Sequence, residues 1–96
     1  MKTQTWVSNV VLKRAPARLV REGLLGYLTL TINESLILDG ITLRRSLRGR
    51  HYLSYPSRAG SDGDRHPHIR PLGDRARTDI ERQVFRFLGL SGGGAQ

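Results

Sequence analysis

"LLGYLTLTINESLILDGITLRR", residues 24–45, decides how this chain folds. Leu28, Leu30 and Ile32 alternate with Tyr27, Thr29 and Thr31. A period of two is that of a β-strand with one aliphatic and one polar face, and the aliphatic face is expected to meet the core. Asn33, Glu34 and Ser35 make a tight connection, so residues 24–33 and 36–45 read as an antiparallel hairpin. Asp39-Gly40 suits either a turn or a bulge. The bulge is favoured, because residues 36–38 alone make a very short strand.

Working outward, Trp6 to Lys13 is rich in β-branched and apolar residues and reads as a first strand. The stretch "RAPARLVREG" (residues 14–23) contains Pro16 and Gly23 and is expected to be a turn or loop with charged edges. On the other side, "SLRGR" turns at Gly49, and His51 to Tyr55 forms a fourth strand ended by Pro56. Residues 57–73 carry three glycines and two prolines and are expected to form a long loop, a kind of segment that is often functional in a compact domain. Asp74 then reads as a helix N-cap, with Thr78 and Glu81 offering a second start as a capping box. Ala76, Ile80, Val84, Phe87 and Leu88 recur at helical spacing, and Gly89 suits the C-cap. The expected architecture is α+β: a four-to-five-stranded antiparallel sheet with a C-terminal amphipathic helix on one face. Residues 1–90 make a single domain, and "SGGGAQ" (residues 91–96) a disordered tail.

At 96 residues with 38% hydrophobic content, the core is thin, which points to a homodimer that shares apolar burial. Cysteine is absent, so disulfides and thiolate metal sites are excluded. No apolar run reaches the length of a membrane span, and the first residues lack a signal-peptide apolar region, so a cytoplasmic location is expected.

The net charge is +8, with 16 basic and 8 acidic residues, and all the basic ones are Arg except Lys2 and Lys13. Arg forks onto phosphate and stacks on bases, so the balance suits nucleic acid. A GC-rich genome would account for Arg over Lys but not for the excess charge. Arg58, Arg65 and Arg70 fall in the long loop, and Arg75, Arg77, Arg82 and Arg86 on the helix. Positions 75, 82 and 86 share a helical stripe. With the loop folded over the helix, these residues would form one basic surface following a phosphate backbone, to which Ser57 donates a hydrogen bond. Asp79 and Glu81 would neutralise part of it through pairs at helical spacing.

Tyr52 and Tyr55 fall on opposite faces of a regular strand. Tyr55, beside the Arg loop, is a candidate for stacking a base, with rim exposure as its plain reading and core packing as that of Tyr52. The pair His66 and His68 is too small a donor set for a structural zinc, and no metal or cofactor is expected. No phosphate-cradling glycine loop or activated nucleophile is evident, so the chain does not read as an enzyme. A small hydrolase using the loop serines with His51, His66 and His68 ranks last. A protein-interaction module that binds an acidic partner stands as the second reading.

At Pro56, Ser57 and Arg58 the chain resembles the SpoVG family of bacterial stage V sporulation and septation regulators. The likeness extends to "VSNVVLKR" (residues 7–14), to the hairpin "LTLTINESLILDGITLR" (residues 28–44), to Pro71-Leu72 after a Gly/Asp loop, and to the basic C-terminal helix. Ala59-Gly60 departs from it where the family has further basic residues. The resemblance implies a small α+β homodimer that binds DNA or RNA and regulates expression, sporulation or septation.

Overall fold

The computed structural model describes residues 5–90, and of Arg58, Ala59, Arg65, His66 and Pro67 the backbone only. Four strands form an antiparallel meander in the order β1-β2-β3-β4: β1 (Val7–Arg14), β2 (Leu24–Ile32), β3 (Leu36–Arg45) and β4 (His51–Ser54). The C-terminal helix α2 (Asp74–Leu88) packs across one face, so the fold is the expected α+β arrangement. The tail expected at residues 91–96 lies outside the described residues.

The alternation in β2 does what its period dictates. Leu28 and Leu30 are fully buried, and their partners Ile41 on β3 and Leu12 and Leu38 on the neighbouring strands lie on the same side. Ile80, Val84 and Phe85 of α2 close this core together with Val7, Leu43 and Leu53. The hairpin turn places Asn33 and Glu34 at φ 53° and 54°, with the Ser35 N–H donating to the Ile32 carbonyl at 2.9 Å. Those are the φ signs of a type I′ turn, whose twist suits an antiparallel pair.

Asp39-Gly40 is a bulge, as expected. Leu28 pairs with Ile41 but Leu30 with Leu38, so two residues of β3 oppose Thr29 alone. Gly40 takes φ 79°, which a side chain resists, and the Thr29 hydroxyl donates to Asp39 Oδ1 at 2.8 Å. Further register shifts lie between Ser8 and Val11 on β1 and between Leu24 and Gly26 on β2.

Three expectations about the elements need correction. The loop expected at residues 14–23 contains a short helix, α1 (Ala17–Arg21): Pro16 takes the cap position, where its missing N–H costs no helical bond, and its carbonyl accepts from the Leu19 and Val20 N–H groups. The long loop is not structureless: β5 (Ser57–Ala59) pairs antiparallel with β6 (Arg65–Pro67), and the Gly63 N–H donates to the Gly60 carbonyl at 3.0 Å in the turn between them. Asp74 is the first helical residue rather than the cap. Gly73 occupies the cap position without a side-chain bond, and Thr78 lies within the helix.

Phe85 rather than Phe87 fills the core. Phe85 is 1% exposed and Phe87 59%. Phe87 falls one turn beyond Gln83, on the helix flank that passes over the edge of β1. Gly89 ends α2 as expected, with the Leu90 N–H returning to the Phe85 carbonyl at 2.9 Å.

The helix is tied to both edges of the sheet. Gln83 accepts from Val7 N–H (2.9 Å) and donates to the Thr5 carbonyl (2.7 Å), completing the β1 edge much as another strand would. On the far edge, Glu81 Oε2 accepts from the Leu53 N–H of β4 at 3.0 Å. Residues 81 and 83 point to opposite flanks of a helix, so one element closes two edges.

Candidate nucleic-acid interface

In a meander, the β1–β2 and β3–β4 connections lie at the same end of the sheet. Here they bring together "KRAPARLVREG" and "RRSLRGR". The junction is tight: Arg45 N–H donates to the Gly23 carbonyl at 2.8 Å, and Arg44 pairs with Leu24. Gly23 permits it. At φ 100° it avoids the strain a side chain would suffer, and a Cβ there would stand 2.8 Å from the Arg45 oxygen.

Lys13, Arg14, Arg18, Arg21, Arg44, Arg45, Arg48 and Arg50 therefore share one pole of the molecule, and Glu22 is the single carboxylate among those two segments. That is eight cations against one anion. The remaining eight basic residues of the chain are set against seven acidic ones, so nearly all of the net charge of +8 belongs to this pole. All but Arg44 are exposed. Arg44 is half-buried and donates through Nε to Thr42 Oγ1 at 3.3 Å.

The residues singled out in the sequence stand elsewhere. Arg75, Arg82 and Arg86 are exposed and fall within roughly 40° of arc on the side of α2 turned away from the sheet. Asp79 sits beside that arc and pairs with Arg82 at 2.7 Å. Arg77 is exposed but lies on the β4 flank with Glu81, off the stripe. Glu81 is engaged by the β4 backbone rather than by an Arg of the stripe. Arg70 is exposed in the segment between β6 and α2. Ser57 is half-buried and already engaged within the protein. Arg58 and Arg65 are placed by backbone register, opposite His66 and Ala59, and their side chains lie outside the described residues.

The tyrosines exchange the roles expected of them. Tyr55 packs against the core, and its hydroxyl is buried without a hydrogen-bond partner. Burial first, then the nearby Glu81 carboxylate, push its pKa up to about 12, against a smaller opposing effect of Arg77. Tyr52 instead stands on the uncovered face of the sheet. Among the described residues, no group of three or more His, Asp or Glu side chains gathers to hold a metal. No helix among them is long and apolar enough to cross a membrane.

The basic pole escapes a segment-by-segment reading of the sequence because its two halves lie more than twenty residues apart. The signal is nonetheless present: two Arg-rich connections flanking one hairpin must meet in an up-and-down sheet. In comparisons with known proteins, no family model matches this chain and no curated protein does.

Proposed function

We propose that this chain is a small nucleic-acid-binding protein that engages DNA or RNA through phosphate contacts at its basic pole. The observation that carries the reading is the segregation of charge: a pole of eight cations and one carboxylate on an otherwise nearly balanced molecule. Such a concentration raises the local potential and attracts a polyanion. Arg75, Arg82 and Arg86 on α2, with Arg77 on its flank and Arg58, Arg65 and Arg70 before it, extend the positive surface more weakly, since five carboxylates (Asp62, Asp64, Asp74, Asp79 and Glu81) lie among them. The resemblance to the SpoVG family supports a cytoplasmic homodimer that regulates gene expression in sporulation or septation. The thin core, nine buried apolar side chains in all among the described residues, suits a chain that shares burial with a second copy.

Fluorescence anisotropy with labelled RNA and duplex DNA, from about 50 to about 200 mM salt, tests the reading. Wild type should bind with a steep salt dependence. Arg18→Ala/Arg21→Ala/Arg45→Ala/Arg48→Ala should flatten the slope by about one for each phosphate no longer neutralised. Arg75→Ala/Arg82→Ala/Arg86→Ala should flatten it less. Absence of binding to both probes at the lowest salt would contradict the proposal and leave an acidic protein as the partner.

A further inference from the structure

The strand register sorts the side chains of the sheet into two faces, and α2 covers only one. Residues paired directly across strands share a face. The uncovered face therefore carries Arg44 and Tyr52 in one row, then Lys13, Tyr27, Thr42 and Ser54 in the next. Farther along come Val11 with Thr29, and Ser8 with Thr31 and Ile37. Tyr27 and Tyr52 are 40% and 41% exposed, large areas for aromatic side chains set within strands. Asp39, the carboxylate at the bulge, lies toward the far half and accepts from Thr29.

The two rows nearest the basic pole thus alternate cation and aromatic: Lys13 beside Tyr27, and Arg44 beside Tyr52. Tyr27 and Tyr52 are two strands and one row apart, about 12 Å by strand spacing and rise, with Arg44 on the strand between them. The Arg44 side chain leans back to Thr42, which pairs with Tyr27, so its guanidinium lies toward the first ring. The face leads into the pole, since the two Arg-rich connections begin directly after Lys13 and Arg44 on the same strands, with Arg14 and Arg45 alternating to the other side.

We infer that this open face is a stacking platform for single-stranded nucleic acid, with Tyr27 and Tyr52 each receiving an unpaired base and Lys13, Arg44 and the basic pole holding the phosphates. The inference rests on the proposed nucleic-acid reading and adds to it the strandedness of the ligand. Flat rings on a rigid sheet fit unstacked bases, whereas the bases of a duplex are closed to them. Charge complementarity favours this occupant: each ring has a cation beside it, and the strands that carry them lead into the basic pole.

The test compares oligouridine RNA with an RNA duplex of equal length, using Tyr27→Ala, Tyr52→Ala, and the Phe substitution at each position. Each Ala variant should weaken single-strand binding by about tenfold or more at unchanged salt slope, with duplex affinity within about twofold. The Phe variants should bind as wild type, since the ring remains. Circular dichroism melts would confirm that all four are folded. If the Ala variants bind the single strand as well as wild type while the Arg variants at the pole lose affinity, the platform is overturned and the nucleic-acid reading stands. If wild type binds neither probe, the nucleic-acid reading falls and the platform with it. If Tyr27→Ala turns a dimer into a monomer in sedimentation, the face belongs to self-association and the inference is overturned.

Discussion

The covered and uncovered faces of the sheet are made from alternate residues of the same strands, and they have opposite compositions. Beneath α2 lie Leu28, Leu30, Ile41, Leu43 and Leu53, all buried. One residue along, on the other side, lie Tyr27, Thr29, Thr31, Thr42, Arg44 and Tyr52, all partly or largely exposed. The difference separates two jobs. The covered face supplies the burial that stabilises the fold, and substitutions there should be felt as lost stability. The open face should contribute little to stability, which leaves its two tyrosines and its cations available for the binding proposed above.

The sharpest contrast sets Leu30→Ala against Tyr27→Ala. Leu30 is fully buried, and its truncation should cost about 2–5 kcal/mol by chemical denaturation. Tyr27→Ala on the same strand should cost less than about 1 kcal/mol. Equal losses would erase the distinction between the faces. Next comes Gln83→Ala, which removes both hydrogen bonds that close the β1 edge. A loss of about 1–3 kcal/mol is expected, with amide exchange at Val7 accelerated more than at Leu28.

Gly23→Ala should cost more than about 1 kcal/mol, because the substituted residue meets both an unfavourable φ and the Arg45 carbonyl. It should also weaken nucleic-acid binding, since the junction it disturbs aligns the halves of the basic pole. A Gly23→Ala protein with lowered stability but full affinity would separate the pole from its scaffold.

The smallest effect belongs to Tyr55. Its hydroxyl holds its proton up to about pH 12 in the folded state, against an ordinary value of 10.0. Below that ordinary value both states are protonated and stability is unaffected. As pH rises through the interval to about 12, the unfolded chain loses its proton first, so stability falls. Tyr55→Phe should remove this alkaline loss. At neutral pH it should be neutral or slightly stabilising, because it deletes a buried hydroxyl without a partner.

How far the fold can be read from sequence follows from the range of the forces involved. The β2–β3 hairpin is legible because period, turn and bulge are all encoded within about twenty residues. α1 is hidden because Pro16 reads as a breaker, although a proline just before a helix leaves no helical hydrogen bond unmade. Phe85 and Phe87 are hard to tell apart because both fit a loose helical period, and only the sheet beneath decides between them. The β5–β6 hairpin is masked by its polar composition. For the candidate interface, the stripe on α2 is local and therefore visible. The basic pole and the Tyr27/Tyr52 face depend on strand order and register, which no single segment contains.

The most direct measurement is a two-dimensional ¹⁵N–¹H spectrum of the protein titrated with oligouridine RNA. The largest shifts are expected at Lys13, Tyr27, Arg44 and Tyr52, together with Arg18, Arg21, Arg45 and Arg48 of the basic pole, while Arg75, Arg82 and Arg86 move little. Shifts confined to α2 and to residues 57–73, with the open sheet face unmoved, would contradict it.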